Sequence, residues 1–147
     1  MLEDFFGNLP LWNAVIAWAI AQLIKILIAL CKTRKLDLSL IVSSGGMPSS
    51  HTSFVTAMTA TIGIAEGFGS PLFAISAVLS LVVMYDASGV RRAAGKQAEV
   101  INMIVESIEN TGIRLDKKLK ELLGHSPIEV AVGAVLGIGI AIAMCSR

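Results

Sequence analysis

The sequence predicts an all-α integral membrane protein, with about four transmembrane helices, an amphipathic helix at the cytoplasmic face and a short basic helix. Three observations lead there. Of 147 residues, 54% are hydrophobic and only 16% charged, where a soluble domain carries about 25% charged residues. Mean hydropathy is +0.74. Long apolar runs recur between short polar stretches, the pattern of bilayer-spanning segments. Neither linker nor internal repeat divides the chain, so residues 1–147 are expected to form a single transmembrane domain.

The first ten residues, MLEDFFGNLP, carry Glu3 and Asp4 rather than a basic region, and no small-residue cleavage site follows; a signal peptide is not expected. The first span, 11–31, lies between Pro10 and the basic cluster KTRK at 32–35. At about 1.5 Å per residue it covers roughly 32 Å, a bilayer core. Gln22 and Lys25 fall on one face of it. Lys25 either turns toward protein or a water-filled cavity, as charges within spans do, or snorkels to the headgroups.

A second span, 53–65, is rich in small residues suited to close helix packing; EGFGSP then makes a tight turn into a third span, 72–87, giving a helical hairpin. From Val90 to Ile108, apolar residues recur at helical spacing opposite Arg91, Arg92, Lys96, Glu99 and Glu106, which predicts an amphipathic surface helix. NTGIRLDKKLKELLG, 110–124, predicts a turn and a short basic helix capped by Gly124. The last span, 126–146, contains Gly133 and Gly137 as a GxxxG pair, the face through which a homodimer is expected to form.

Four spans place both termini on one side and the loops 32–52 and 87–125 on the other. Those loops hold ten of the twelve Lys and Arg residues, so the positive-inside rule puts them in the cytoplasm of a multi-pass cell-membrane protein, with both termini outside. A net charge of +1 gives no general basic field, so nucleic acid is not an expected partner; the lipid bilayer is. Cys31 and Cys145 lack any CxxC or Cys/His spacing and read as small core residues, with neither disulfide nor metal.

This topology brings both histidines to one membrane surface. His51 follows GGMPSS, in which Gly46, Met47, Ser49 and Ser50 could offer amides and hydroxyls, at the positive end of a helix, to an anion such as phosphate. The simpler reading is an interfacial turn with serine helix caps. His125 precedes Ser126, Pro127 and Glu129. Glu129 could close a capping box with Ser126, orient His125 as a His-x3-Glu pair, or do both. Asp86, at the unfavourable end of the third span, calls for a partner such as Arg91, Arg92 or Lys25, whereas the arginines alone could simply meet lipid headgroups.

PSSH at 48–51 and HSPIEVAVGAVLG from His125 resemble two signatures of the type 2 phosphatidate phosphatase and vanadium haloperoxidase superfamily. Ser50 stands where that pattern has glycine, and Glu129 where it has aspartate. The order GGMPSSH, MYDASGVRRAAGKQA, GHSPIEV is similar to the short divergent branch of that superfamily, and the likeness covers most of the chain from Lys25 onward. It implies a metal-free phosphatase without cofactors, with His125 as nucleophile, Glu129 orienting it and His51 as general acid. Ser49, Ser50, Gly46 and Met47 would hold phosphoryl oxygens. The family's arginine six residues before the nucleophile is here Leu119, between Lys118 and Lys120, and its Lys-x6-Arg-Pro block is absent after Lys25. Arg91, Arg92 and Lys25 are the candidate substitutes, although a lysine is not a bidentate clamp.

The expected function is therefore a membrane-embedded, acid-phosphatase-like hydrolase that cleaves a lipid phosphate or related phosphomonoester through a phosphohistidine. The alternative is a non-catalytic lipid-phosphate binder or transporter using the same anion site. A structural membrane subunit is a third reading.

Overall fold

The computed structural model describes residues 2–34, 46–109 and 124–146. Regular structure in these residues is all helical: α1 (Leu2–Phe6), α2 (Leu9–Thr33), α3 (Ser50–Glu66), α4 (Pro71–Tyr85), a π-helical turn (Asp86–Val90), α5 (Arg91–Glu109) and α6 (Pro127–Cys145). The short basic helix expected at 110–124, with Lys118, Leu119 and Lys120, lies outside the described residues apart from Gly124.

The helix ends follow from local chemistry. Asn8 caps α2 by accepting the Leu11 N–H, and Pro10 occupies the first turn, where its missing N–H costs nothing. Arg34 closes α2 in the left-handed conformation, its N–H returning to the Leu30 carbonyl. The sequence did not announce α1. Its Phe5 and Phe6 pack on Trp12, whose indole N–H donates to the Phe5 carbonyl at 3.2 Å.

Helices α2, the Pro71–Ile108 stretch and α6 are each long and apolar enough to cross a bilayer. The fourth expected span rests on α3, whose 17 residues cover about 26 Å, somewhat less than a bilayer core of ~30 Å. Yet α3 is the helix around which the others assemble, packing against α2, α4 and α6. Its contact surface is made of small residues and hydroxyls. Ser53 Oγ donates to the Gly133 carbonyl at 2.9 Å, Ser80 Oγ to the Val55 carbonyl at 3.1 Å, and Thr59 and Ser80 share a 2.8 Å bond. In lipid, where apolar surface gains little by leaving an equally apolar solvent, such close packing and bonding hold helices together.

Gly133 and Gly137 are buried against α3, not presented outward. A Cβ on Gly133 would press on the Cβ atoms of Ser49 and Thr52 at 3.2 Å, and one on Gly137 would overlap the Thr56 hydroxyl and the Ser53 carbonyl. The glycine face therefore closes the chain on itself, which corrects its expected use in dimerisation.

The third span and the amphipathic helix, expected as separate elements, form one continuous helix. The π-helical turn absorbs the DASGV stretch without breaking the bonding, the Arg91 N–H reaching the Asp86 carbonyl. Val90, at the end of that turn, and Ile101 and Ile104 on α5 are exposed. Both cysteines are free. Cys31 is exposed rather than in the core, as are all of residues 30–34 at the end of α2, while half-buried Cys145 lies 3.8 Å from the Asn13 amide nitrogen.

Candidate functional site

At one end of the bundle, the start of α3, the start of α6, the later half of α2 and the π-helical turn come together. The tie between α3 and α6 is a backbone bond, Ser49 N–H to the Glu129 carbonyl at 3.1 Å. Ser49 is also the N-cap of α3, its hydroxyl accepting from the Thr52 hydroxyl at 3.0 Å and, more weakly, from the Thr52 N–H. The capped-turn reading of the GGMPSS stretch before His51 thus holds. It leaves the Ser50 and His51 amides in the first turn of α3, where helix geometry supplies them no carbonyl. Ser50 is buried and His51 exposed.

His125 sits immediately before α6 and is only 3% exposed. Both readings of Glu129 are realised together. Its carboxylate oxygen Oε2 accepts the Ser126 N–H at 3.0 Å and lies 3.1 Å from His125 Nδ1, while the Ser126 hydroxyl accepts the Glu129 N–H at 3.3 Å. A carboxylate at Nδ1 favours the tautomer that carries its proton there. Nε2 then has a free lone pair, and in the structure it is buried with no hydrogen-bond partner. Burial pushes the His125 pKa below its ordinary value, as do the charges of Lys25 and Arg91; the bond to Glu129 and its charge pull the other way.

The backbone of His125 is fixed as well. Its N–H donates to the Ala87 carbonyl, inside the π-helical turn, at 3.0 Å. Gly124 makes this approach possible: a Cβ there would run into the backbone of Arg91 and Arg92. Sequence reasoning missed both the Ala87 anchor and the role of Gly124, which it took only for a helix cap. The one available signal was a glycine next to the histidine in GHSPIEV.

Lys25 is 4% exposed and points into the protein, which decides against snorkelling. Its methylenes lie 3.4–3.7 Å from where a Cβ of Gly46 would be, and Gly46 has φ +82°, a conformation that suits glycine. Arg91 is the partner of Asp86, Nε to carboxylate at 2.6 Å. The charges of Arg91, His125, Lys25 and Asp86 all bear on His51, so these groups share one electrostatic neighbourhood. Met47 and Arg92 are exposed, and neither side chain makes a hydrogen bond or ion pair among the described residues. No cluster of His, Cys, Asp and Glu among the described residues is placed to hold a metal ion.

A family model described as the divergent PAP2 family matches residues 6–140. The chain belongs to the divergent PAP2 family. That match spans every residue of the cluster, from Lys25 on α2 to Glu129 on α6. The chain is also 44% identical over 146 aligned residues, 92% of each chain, to a Bacillus subtilis (strain 168) protein named as the uncharacterized membrane protein YuiD. No solved structure matches it. For this divergent PAP2 member, the membrane environment and the helical class are therefore secure, and the chemistry rests on the site itself.

Proposed function

We infer that this protein is a membrane phosphatase that cleaves a lipid phosphate or a related phosphomonoester through a phosphohistidine on His125. The observation that carries this reading is the state of the His125 ring: held at Nδ1 by Glu129, buried, and unpartnered at Nε2. A buried ring nitrogen without a partner is costly in a folded protein. An oriented imidazole with a free lone pair is what nucleophilic attack on phosphorus requires.

In the first step the Nε2 lone pair forms a P–N bond as the bond from phosphorus to the leaving oxygen breaks, and His51 gives that oxygen a proton, releasing an alcohol. The imidazole becomes cationic, and Glu129 stabilises that charge. Water then attacks phosphorus while His51 takes its proton; the P–N bond breaks, inorganic phosphate leaves and both histidines are restored. Lys25 and the first-turn amides of α3 meet the charge on the phosphoryl oxygens, with Gly46, Ser49 and Ser50 shaping the loop that presents them. Asp86 engages Arg91 and sets where its guanidinium lies. By the distribution of Lys and Arg, the site faces the cytoplasm and both termini lie outside. A homodimer, where one forms, uses a face other than the α6 glycines.

The test is phosphate release from a micellar lipid phosphate by purified protein. Turnover should vanish in His125→Ala, and a radiolabelled, acid-labile phosphoprotein should form with wild type but not with that variant. Unchanged turnover by His125→Ala would end the reading. A second reading, lipid-phosphate binding or transport without hydrolysis, is favoured by the engagement of Arg91 with Asp86, which occupies the Nε donor of that guanidinium. Its signature is headgroup binding with no turnover.

A further inference from the structure

We propose that the cavity beside His51 holds a hydrocarbon chain of the substrate, so that phosphate and chain are bound together. The proposal rests on the phosphate-site reading above. The cavity, of about 320 Å³, is lined by Trp18 of α2, His51, Phe54 and Val55 of α3, and Val83 of α4. His51 is its one titratable lining residue; the other four are aromatic or aliphatic. The same ring therefore belongs to the polar cluster on one side and to an apolar hollow on the other.

The direction of the hollow follows from the helices. Lys25 marks the level of the site on α2, and Trp18 lies seven residues earlier, on nearly the same face and about 10 Å further from the site end. Asn13, earlier still on α2, bonds to Thr61 near the far end of α3, so α2 runs from the opposite end of the bundle toward the site. A chain whose phosphate sits at the first turn of α3 would descend past Phe54 and Val55 toward Trp18, along the bilayer direction. Trp18 is 38% exposed, so the hollow is open to lipid at its side and a chain can enter laterally. The occupant is defined by this continuity: an apolar trough of bilayer orientation that begins at the histidine facing the leaving oxygen fits a phosphate with a hydrocarbon tail. Its volume is at the low end of small-ligand sites, ~300–1,000 Å³, which gives room for one chain; a second chain of a two-chain lipid would lie in the surrounding bilayer.

The experiment uses a Trp12→Phe protein in detergent micelles, so that Trp18 is the only tryptophan. The probes are an alkyl monophosphate brominated near its chain end and the alcohol of the same chain. The phosphate should quench Trp18 at a mole fraction about tenfold or more below that of the alcohol, and inorganic phosphate should reverse the quenching. Val83→Phe, which fills the trough from α4, should weaken the single-chain phosphate by a similar factor and leave inorganic phosphate binding unchanged. Inorganic phosphate binding combined with equal quenching by phosphate and alcohol would overturn the chain site and leave the phosphate site standing. Absence of any phosphate binding would overturn both.

Discussion

His125 and Glu129 are one helical turn apart, and a single carboxylate oxygen of Glu129 serves both the His125 ring, at 3.1 Å from Nδ1, and the Ser126 N–H that begins α6, at 3.0 Å. Helix initiation and histidine orientation are thereby coupled. The ring is set by the same oxygen that caps the start of the helix.

This coupling lets the two roles be separated. Glu129→Gln keeps a side-chain acceptor for the Ser126 N–H, since glutamine also serves in a capping box, but removes the negative charge at the ring. The variant should stay folded, by thermal unfolding, while turnover falls about 100-fold or more.

The same variant should change the pH profile in a defined direction. Neutral His125 is the nucleophile, so its pKa sets the acid limb, activity being lost as pH falls through it. The alkaline limb belongs to His51, which must be protonated to act as the acid. Burial places the His125 pKa below the ordinary histidine value, and Glu129 raises it. Initial rates measured from about pH 5 to 8 should show an acid limb below the ordinary histidine value in wild type, displaced further toward acid in Glu129→Gln. A displacement toward higher pH would contradict this assignment.

Lys25→Met preserves the methylene contact with Gly46 and deletes the ammonium. Phosphate binding, followed by calorimetry, should weaken about 10- to 100-fold and lose part of its dependence on ionic strength. Thermal stability should hold or rise, because a buried charge is removed.

Gly124→Ala tests the anchor on the π-helical turn. The added methyl meets backbone, which cannot swing aside, so the His125 N–H is displaced from the Ala87 carbonyl. A loss of about 1–3 kcal/mol in stability is expected, with turnover falling further than stability alone accounts for.

Gly137→Val should separate α3 from α6. A cost of about 1–3 kcal/mol is expected, read as lower thermal stability in detergent, and the oligomeric state of the folded fraction should not change, since this face is internal.

Much of this was legible in the sequence. The spans at 11–31 and 72–87 fall within helices of the structure, and 126–146 overshoots α6 by one residue at each end. A bilayer admits few ways to bury backbone polar groups, so a long apolar run commits to helix. The Ser126–Glu129 cap was legible because it is local, made within one turn. The continuous helix through Asp86–Val90 was not: composition marks where polarity changes but not whether a helix passes through the change. The use of Gly133 and Gly137 was not legible either, since a GxxxG face promotes close approach without naming the partner.

The sequence by itself determined a helical membrane chain, a capped histidine before the last helix and a second histidine in a serine-rich helix start. Those features depend on residues a turn or less apart and on the uniform demand of the bilayer. Only the tertiary structure decided that Lys25 points inward, that Arg91 engages Asp86, that Ala87 anchors His125 and that α3 lies at the centre. Each of these depends on contacts between segments far apart in the chain, whose side chains could have met other partners until packing excluded them.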